Sequence, residues 1–250
     1  MNWKSALAEL LIIVAGIIMA LAVDRWTEER RDIAAARSYV ERLQRDVEFD
    51  LGAYARTVAW AQAIDNSAVY VLDVYRGRNP PREEYDLFAY HIFRASWDAL
   101  RRPTHATYDD LINTGNIGLL AVSVRDALTD YHSLQQDYVE RRAESFANEA
   151  RRGYWRVPEA VLGPDLVPAV WLRIQGNPPD FVPEPGSMGL NEADVERIVA
   201  ALRARDDLEP SLAMIRHTMA QYRILFGERM PSAADRFSEA LERQSTISAH

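Results

Sequence analysis

Five histidines, His91, His105, His132, His217 and His250, are the side chains best suited to metal or acid–base chemistry, and they are widely dispersed. His105 and Asp109 stand at i and i+4, a spacing that sets two ligands on one helix face. A transition-metal site needs further ligands in register with them, and none follows. His132 beside Asp130, and His217 within the apolar run MIRHTM, read as surface or packed helix residues. Glu-x-x-His pairs of the di-iron bundle kind are missing. Nucleophilic catalysis needs an activated nucleophile, a base and a group to orient that base. The chain has no cysteine and no Gly-x-Ser-x-Gly turn, and GNIG at 115–118 lacks the spacing and the lysine of a phosphate loop. The carboxylate pairs Asp109–Asp110 and Asp206–Asp207 suit the positive ends of helices that begin there. These residues imply no metal, no cofactor and no enzymatic reaction.

A different kind of chemistry sits near the start. Ala6 to Val23, ALAELLIIVAGIIMALAV, is apolar at every position except Glu9. As a helix it rises about 27 Å, close to the roughly 30 Å of a bilayer core. Trp3 and Trp26 flank it at headgroup level, and Lys4 and Arg25 are placed to snorkel outward. The run predicts one transmembrane anchor. It exceeds the h-region of a signal peptide, although Ala20 and Ala22 leave a cleavage site open as the alternative. Glu9, Ile13, Gly16 and Ala20 share one helix face, and Gly16 with Ala20 forms a small-xxx-small pair that admits a second helix. Glu9 either reaches the interface or meets a partner subunit there.

Beyond the anchor the elements are helical. Asp24 to Tyr75 holds no proline, and Ile33, Ala36, Val40, Leu43, Val47, Leu51 and Tyr54 recur at helical spacing, which predicts a long stalk-like amphipathic helix. Gly77 and a double proline end it. Glu83 to Arg101 is the next predicted helix. Its stripe includes Tyr85, Phe88, Ile92 and Trp97, either core packing or the wall of an apolar ligand pocket. Thr107 with Asp110 forms a capping-box pattern, Gly115 suits a left-handed stop, and a helix from about Ser123 to Tyr154 follows. Residues 158–190 are rich in proline and glycine and read as a linker, lid or docking segment. Val167, Val170, Trp171 and Ile174 within it would pack on the bundle, a partner or the membrane surface. Asn191 with Asp194 caps a helix, Leu208 to Phe226 forms another, and Pro231 starts the last. No hairpin signal or fixed-period repeat is seen.

The motifs ELLIIVAGIIMALAVDRWTEERRD, with Glu9, Gly16, Asp24 and Trp26, and TYDDLINTGNIGLL, with Tyr108, Leu111 and Gly115, resemble a family of uncharacterised single-span bacterial membrane proteins. The resemblance covers residues 9–31 and 107–120. It implies an inner-membrane location and a periplasmic body, and it carries no activity. Arg25, Arg30, Arg31 and Arg37 after the span, against Lys4 before it, point instead to a cytoplasmic body, so the side stays open.

The expected fold is all-α, one N-terminal transmembrane helix continuing into a helical-bundle domain. Its expected divisions are 1–24 anchor, 25–157 bundle, 158–190 linker or docking segment, and 191–250 C-terminal helices packing on the bundle. A net charge of −8 argues against nucleic acid as a partner, and 48% hydrophobic with 26% charged residues is ordinary for a folded body. The partners implied are the lipid bilayer and other membrane subunits, or a second copy, through the anchor. Two functions fit: an accessory or scaffolding subunit of a membrane complex, or a membrane-tethered small-molecule sensor or binding module.

Overall fold

The computed structural model describes residues 3–79, 81, 84–143, 153–174 and 176–247, with the side chains of 3–11, 140, 142, 174 and 247 outside the description. Among the described residues the chain is all-α, of helical-bundle type and without a strand. Helix α1 runs unbroken from Trp3 to Tyr75, so the apolar N-terminal run and the predicted amphipathic stalk are one helix. Nothing in its sequence interrupts it: proline is absent and Gly16 and Gly52 are its two glycines. Gly77, at φ +74°, then turns the chain away in a conformation that favours glycine.

Helix α2 (Tyr85–Arg94) and helix α3 (Ala106–Asn113) follow. A 3₁₀ turn spans Asn116–Leu119, and α4 (Val122–Gln135) passes directly into π-helical turns over Gln136–Ala143. Two short helices, α5 (Val157–Leu162) and α6 (Leu166–Ile174), precede α7 (Glu192–Arg203) and α8 (Leu208–Ile224). A π-helical turn at Leu225–Arg229 joins α8 to α9 (Met230–Ile247).

These elements form two compact units. The first comprises Met1–Glu48, His105–Thr129 and Arg236–His250. Its core takes Tyr39, Val40, Leu43 and Val47 from α1, Leu111 from α3, Val124 and Leu128 from α4, and Phe237 and Leu241 from α9. Each such buried side chain contributes roughly 1.5–3 kcal/mol. Polar contacts fix the register: Arg42 Nη1 donates to Asp110 Oδ2 at 2.6 Å, and Asn116 Nδ2 to the Tyr39 hydroxyl at 2.9 Å.

The second unit comprises Phe49–Thr104 and Asp130–Asp235. Its α1 segment buries Tyr54, Ile64 and Val71, with Phe88 and Ile92 of α2 and Tyr222 and Phe226 of the α8 end also buried. Asp50, 1% exposed, is the polar centre of this core. Its Oδ2 accepts from the Tyr131 hydroxyl at 2.9 Å and Gln135 Nε2 at 2.6 Å, and its Oδ1 from the Thr104 amide at 2.8 Å. Gln135 also donates to the Tyr54 hydroxyl at 2.9 Å, and burial, then Asp50, pushes that phenol's pKa up, so it stays protonated. Asp65 of α1 receives Arg216 at 3.0 Å and Arg223 at 3.5 Å, clamping α8 to α1.

Several boundaries differ from the sequence expectation. The second helix stops at Arg94 rather than Arg101, because Ser96 Oγ bonds the Phe93 carbonyl at 2.6 Å and Asp98 Oδ1 takes the Leu100 amide at 2.9 Å. Such short polar side chains offer the backbone an alternative to helix. Thr107 does not cap α3; His105 holds that position, and the Thr107 amide donates to Asp46 Oδ2 of α1 at 3.3 Å. The fourth helix becomes π-helical after Gln135, and residues 144–152 lie outside the described residues. The proline-rich stretch contains α5 and α6, because Pro158 and Pro168 fall in first turns, where no amide partner is lost. Pro231 does not start the last helix: it follows the π-helical turn inside one continuous helical run that α9 extends from Met230. The Asn191–Asp194 capping box and the left-handed Gly115, at φ +71°, occur as expected. Among the described residues no helix is long and apolar enough to cross a membrane. The apolar run begins at Ala6, and its described side chains begin at Ile12.

Asp50→Ala removes at once the acceptor shared by two buried donors, Tyr131 and Gln135, and the part-buried Thr104 amide, each such loss costing about 1–3 kcal/mol. Urea unfolding of the full-length chain in mild detergent should show a loss of about 3 kcal/mol or more. A loss below about 1 kcal/mol would mean that this network does not hold the second unit together.

Candidate functional site

Two places stand out, one in each unit. The first is the outer face of α1. Every residue from 12 to 26 is exposed, Ile12 to 72% and Ile13 to 60%, and a Cβ added at Gly16 would meet nothing within 4 Å. Ile13, Gly16 and Ala20 therefore share a bare face, and Glu9 occupies the same face by helical phase, its side chain outside the described residues. Of the flanking anchors, Arg25 and Trp26 are exposed, with the Arg30 guanidinium 4.3 Å from the Trp26 ring centre. The side chains of Trp3 and Lys4 lie outside the described residues. Two turns on, Arg30, Ala34, Arg37, Ser38 and Glu41 line an open groove on the same helix.

The second place is α2 in the other unit. Phe88 and Ile92 are fully buried packing residues, Tyr85 is half-buried, and Trp97 lies past the helix end. Trp97 joins an aromatic cluster, 5.2 Å from Trp60, 6.3 Å from Phe93 and 6.2 Å from Trp171 between ring centres. Of the expected docking residues, Val170 is buried, Val167 half-buried and Trp171 exposed on its outer side, so α6 rests on α2. The Ile174 side chain is outside the described residues.

The polar face of α2 holds the least expected arrangement. Asp86, Tyr90 and Arg94 recur every fourth residue, and all three are buried. Arg94 Nε donates to Ser67 Oγ of α1 at 2.7 Å, and Nη1 to the Tyr90 hydroxyl at 2.9 Å and the Pro179 carbonyl at 3.1 Å. The Tyr90 hydroxyl donates to the Phe181 carbonyl at 2.9 Å. Asp86 Oδ2 accepts from the Met188 amide at 2.9 Å and Ser187 Oγ at 3.2 Å. Residues 178–188 thus lie along α2 as a strap held by three successive side chains. The sequence reading does not single these residues out. Their signal is a polar row at i, i+4 and i+8 on an otherwise aromatic helix, and the strap that covers it is about ninety positions away.

Ser67 Oγ and His91 Nδ1 are 3.0 Å apart, the reach of a nucleophile and its base. Here the cation Arg94 donates to the same oxygen and lies 3.5 Å from the same nitrogen, and the Ser67 hydroxyl donates to the Ala63 carbonyl at 3.0 Å, so the serine is committed to the backbone and the cation. Burial, then Arg94, pushes His91 from 6.5 down to about 3. The pair is a neutral, cation-braced contact. No protein-family model, no curated protein and no solved structure matches this chain.

Above pH about 6.5 His91 is neutral whether the chain is folded or not. Below it the unfolded chain takes up a proton that the folded state refuses until about pH 3, so stability falls as pH drops through that window. His91→Gln should lose about 2 kcal/mol less than the wild type between pH 7.5 and 4.5 in urea unfolding. Identical losses would mean that His91 titrates freely in the native state.

Proposed function

We propose that this protein is a single-span accessory or scaffolding subunit of a complex in the bacterial inner membrane, acting by protein–protein contacts. The observation that carries the reading is the bare apolar face of α1. Lipid and a partner helix are the two environments in which such a face is stable. Exposed Ile12, Ile17, Ile18, Met19 and Leu21 suit acyl chains, while Gly16 and Ala20 suit a helix that must come close.

The continuity of α1 extends that contact outward. Gly16 and Ala34, like Ala20 and Ser38, are eighteen residues apart, about five turns, so both small pairs lie along one line. Arg37 and Glu41 border the outer pair, which places charge where it can select a partner. The resemblance of residues 9–31 and 107–120 to the single-span family belongs to the same proposal. Its second motif is a folded corner, with Leu111 buried and Gly115 left-handed.

Native mass of the tagged full-length chain in mild detergent, with co-purifying proteins identified, tests the reading. A defined hetero-assembly is expected, and Glu9→Leu should still insert but release the partner by at least fivefold. A monomer with no stoichiometric companion would sink it. Removing residues 1–26 should yield a soluble and mainly helical fragment; a fragment that still pellets with membranes would place the anchor elsewhere.

A further inference from the structure

We propose that the buried face of α2 formed by Arg94 and Tyr90, with Ser67 behind it, is a binding site for a carboxylate carried next to an aromatic ring, and that residues 178–188 occupy it as a built-in competitor. The site lies in the second unit and stands whether or not α1 enters a bilayer.

The argument begins with charge. Arg94 is 7% exposed, and an arginine stays protonated even there. Buried cations are ordinarily paired with anions. Among the described residues no carboxylate pairs with Arg94; its partners are two hydroxyls, a neutral imidazole and the Pro179 carbonyl. Asp180, between the two carbonyls that reach into the site, is exposed. The site therefore presents donors to a full negative charge and receives only carbonyl dipoles.

The shape of the competitor gives the shape of the ligand. Phe181 sets its ring edge-on to Tyr90, with centres 5.8 Å apart, and puts its own carbonyl on the Tyr90 hydroxyl. Pro179 adds the oxygen on Arg94. One ring and two oxygens are what an aryl carboxylate would bring, with the charge Arg94 lacks and a planar pair of acceptors for its fork.

The strap is built to leave. Gly176 at φ +85° and Gly189 at φ +68° bracket it, and nothing lies within 4 Å of a Cβ placed on either. Val182, Glu184 and Pro185 are exposed. The far end is held through Asp86, whose other oxygen, Oδ1, is buried without a hydrogen-bond partner.

N-acetyl-L-phenylalanine reproduces the ring and carries the carboxylate. Calorimetric titration of the full-length chain in mild detergent should give at least tenfold tighter binding to Phe181→Ala than to the wild type. Asp86→Asn, which loosens the far end without touching the floor, should shift affinity the same way. The uncharged N-acetylphenylalanine amide should bind Phe181→Ala at least tenfold more weakly than the acid, and adding Tyr90→Phe should cost a further tenfold. Circular dichroism and urea midpoints establish that each variant is folded. A folded Phe181→Ala or Asp86→Asn that binds the acid no tighter than the wild type overturns the strap as competitor. Equal affinity for acid and amide overturns the charge readout.

Discussion

A long amphipathic helix cannot satisfy its own apolar surface, and α1 gives core residues to each of the two units. From Ala36 onward other elements of the chain cover one side of it, and Tyr39, Val40, Leu43 and Val47 are buried. Over residues 12–26 none of the described residues does, although the helix is more apolar there than anywhere else. The backbone hydrogen bonds of a helix are internal, so such a segment needs only an apolar surrounding. A bilayer or a partner helix would each supply that surrounding, and the helical phase continues from Gly16 and Ala20 to Ala34 and Ser38 without a break in the helix.

Two of the second unit's buried polar side chains, Asp50 and Arg94, are met in different ways. Asp50 is a carboxyl whose oxygens accept from a phenol, an amide side chain and a backbone amide. Donors of that kind satisfy a carboxylate well, and the arrangement ties α1 to α4 and to the loop before α3. Arg94 is a cation whose donors meet hydroxyls and a carbonyl, which satisfy its geometry and leave its charge uncompensated. The first arrangement is complete as it stands. The second is stable only in part, and that asymmetry separates a structural network from a place where something else can bind.

Much of the fold was legible because helices announce themselves locally. The helix over Ile33 to Tyr54, the Asn191–Asp194 box and the glycine at 115 all act within a turn or two of sequence, and they appear where that logic puts them, although Ile33 itself is exposed. The misreadings share another cause, competition from outside that range. Asp46 takes the amide of Thr107 and removes its reason to cap, while Ser96 and Asp98 bond the local backbone and end α2 early. The α2 site was illegible for the same reason, since its partners Ser67, Pro179 and Phe181 come from two distant stretches. What could be seen was the row of Asp86, Tyr90 and Arg94, and a polar row on one helix does not by itself say what covers it.

Proline chemistry explains why this strap and not a helix covers that row. Pro178, Pro179, Pro183 and Pro185 have no amide proton, so the backbone from 178 to 185 is rich in acceptors and poor in donors. Such a ribbon cannot bond itself into a helix, and it seeks donors elsewhere. Tyr90 and Arg94 still have protons to donate after Ser67 Oγ and the Tyr90 hydroxyl have accepted from Arg94, and fixed proline φ angles reduce the entropy lost when the ribbon settles there. The match is sufficient to keep water out of the site, yet a carbonyl oxygen carries only part of a charge. An anion of similar outline would satisfy the same donors and also the charge, and the open glycines at either end let the ribbon yield without disturbing α2.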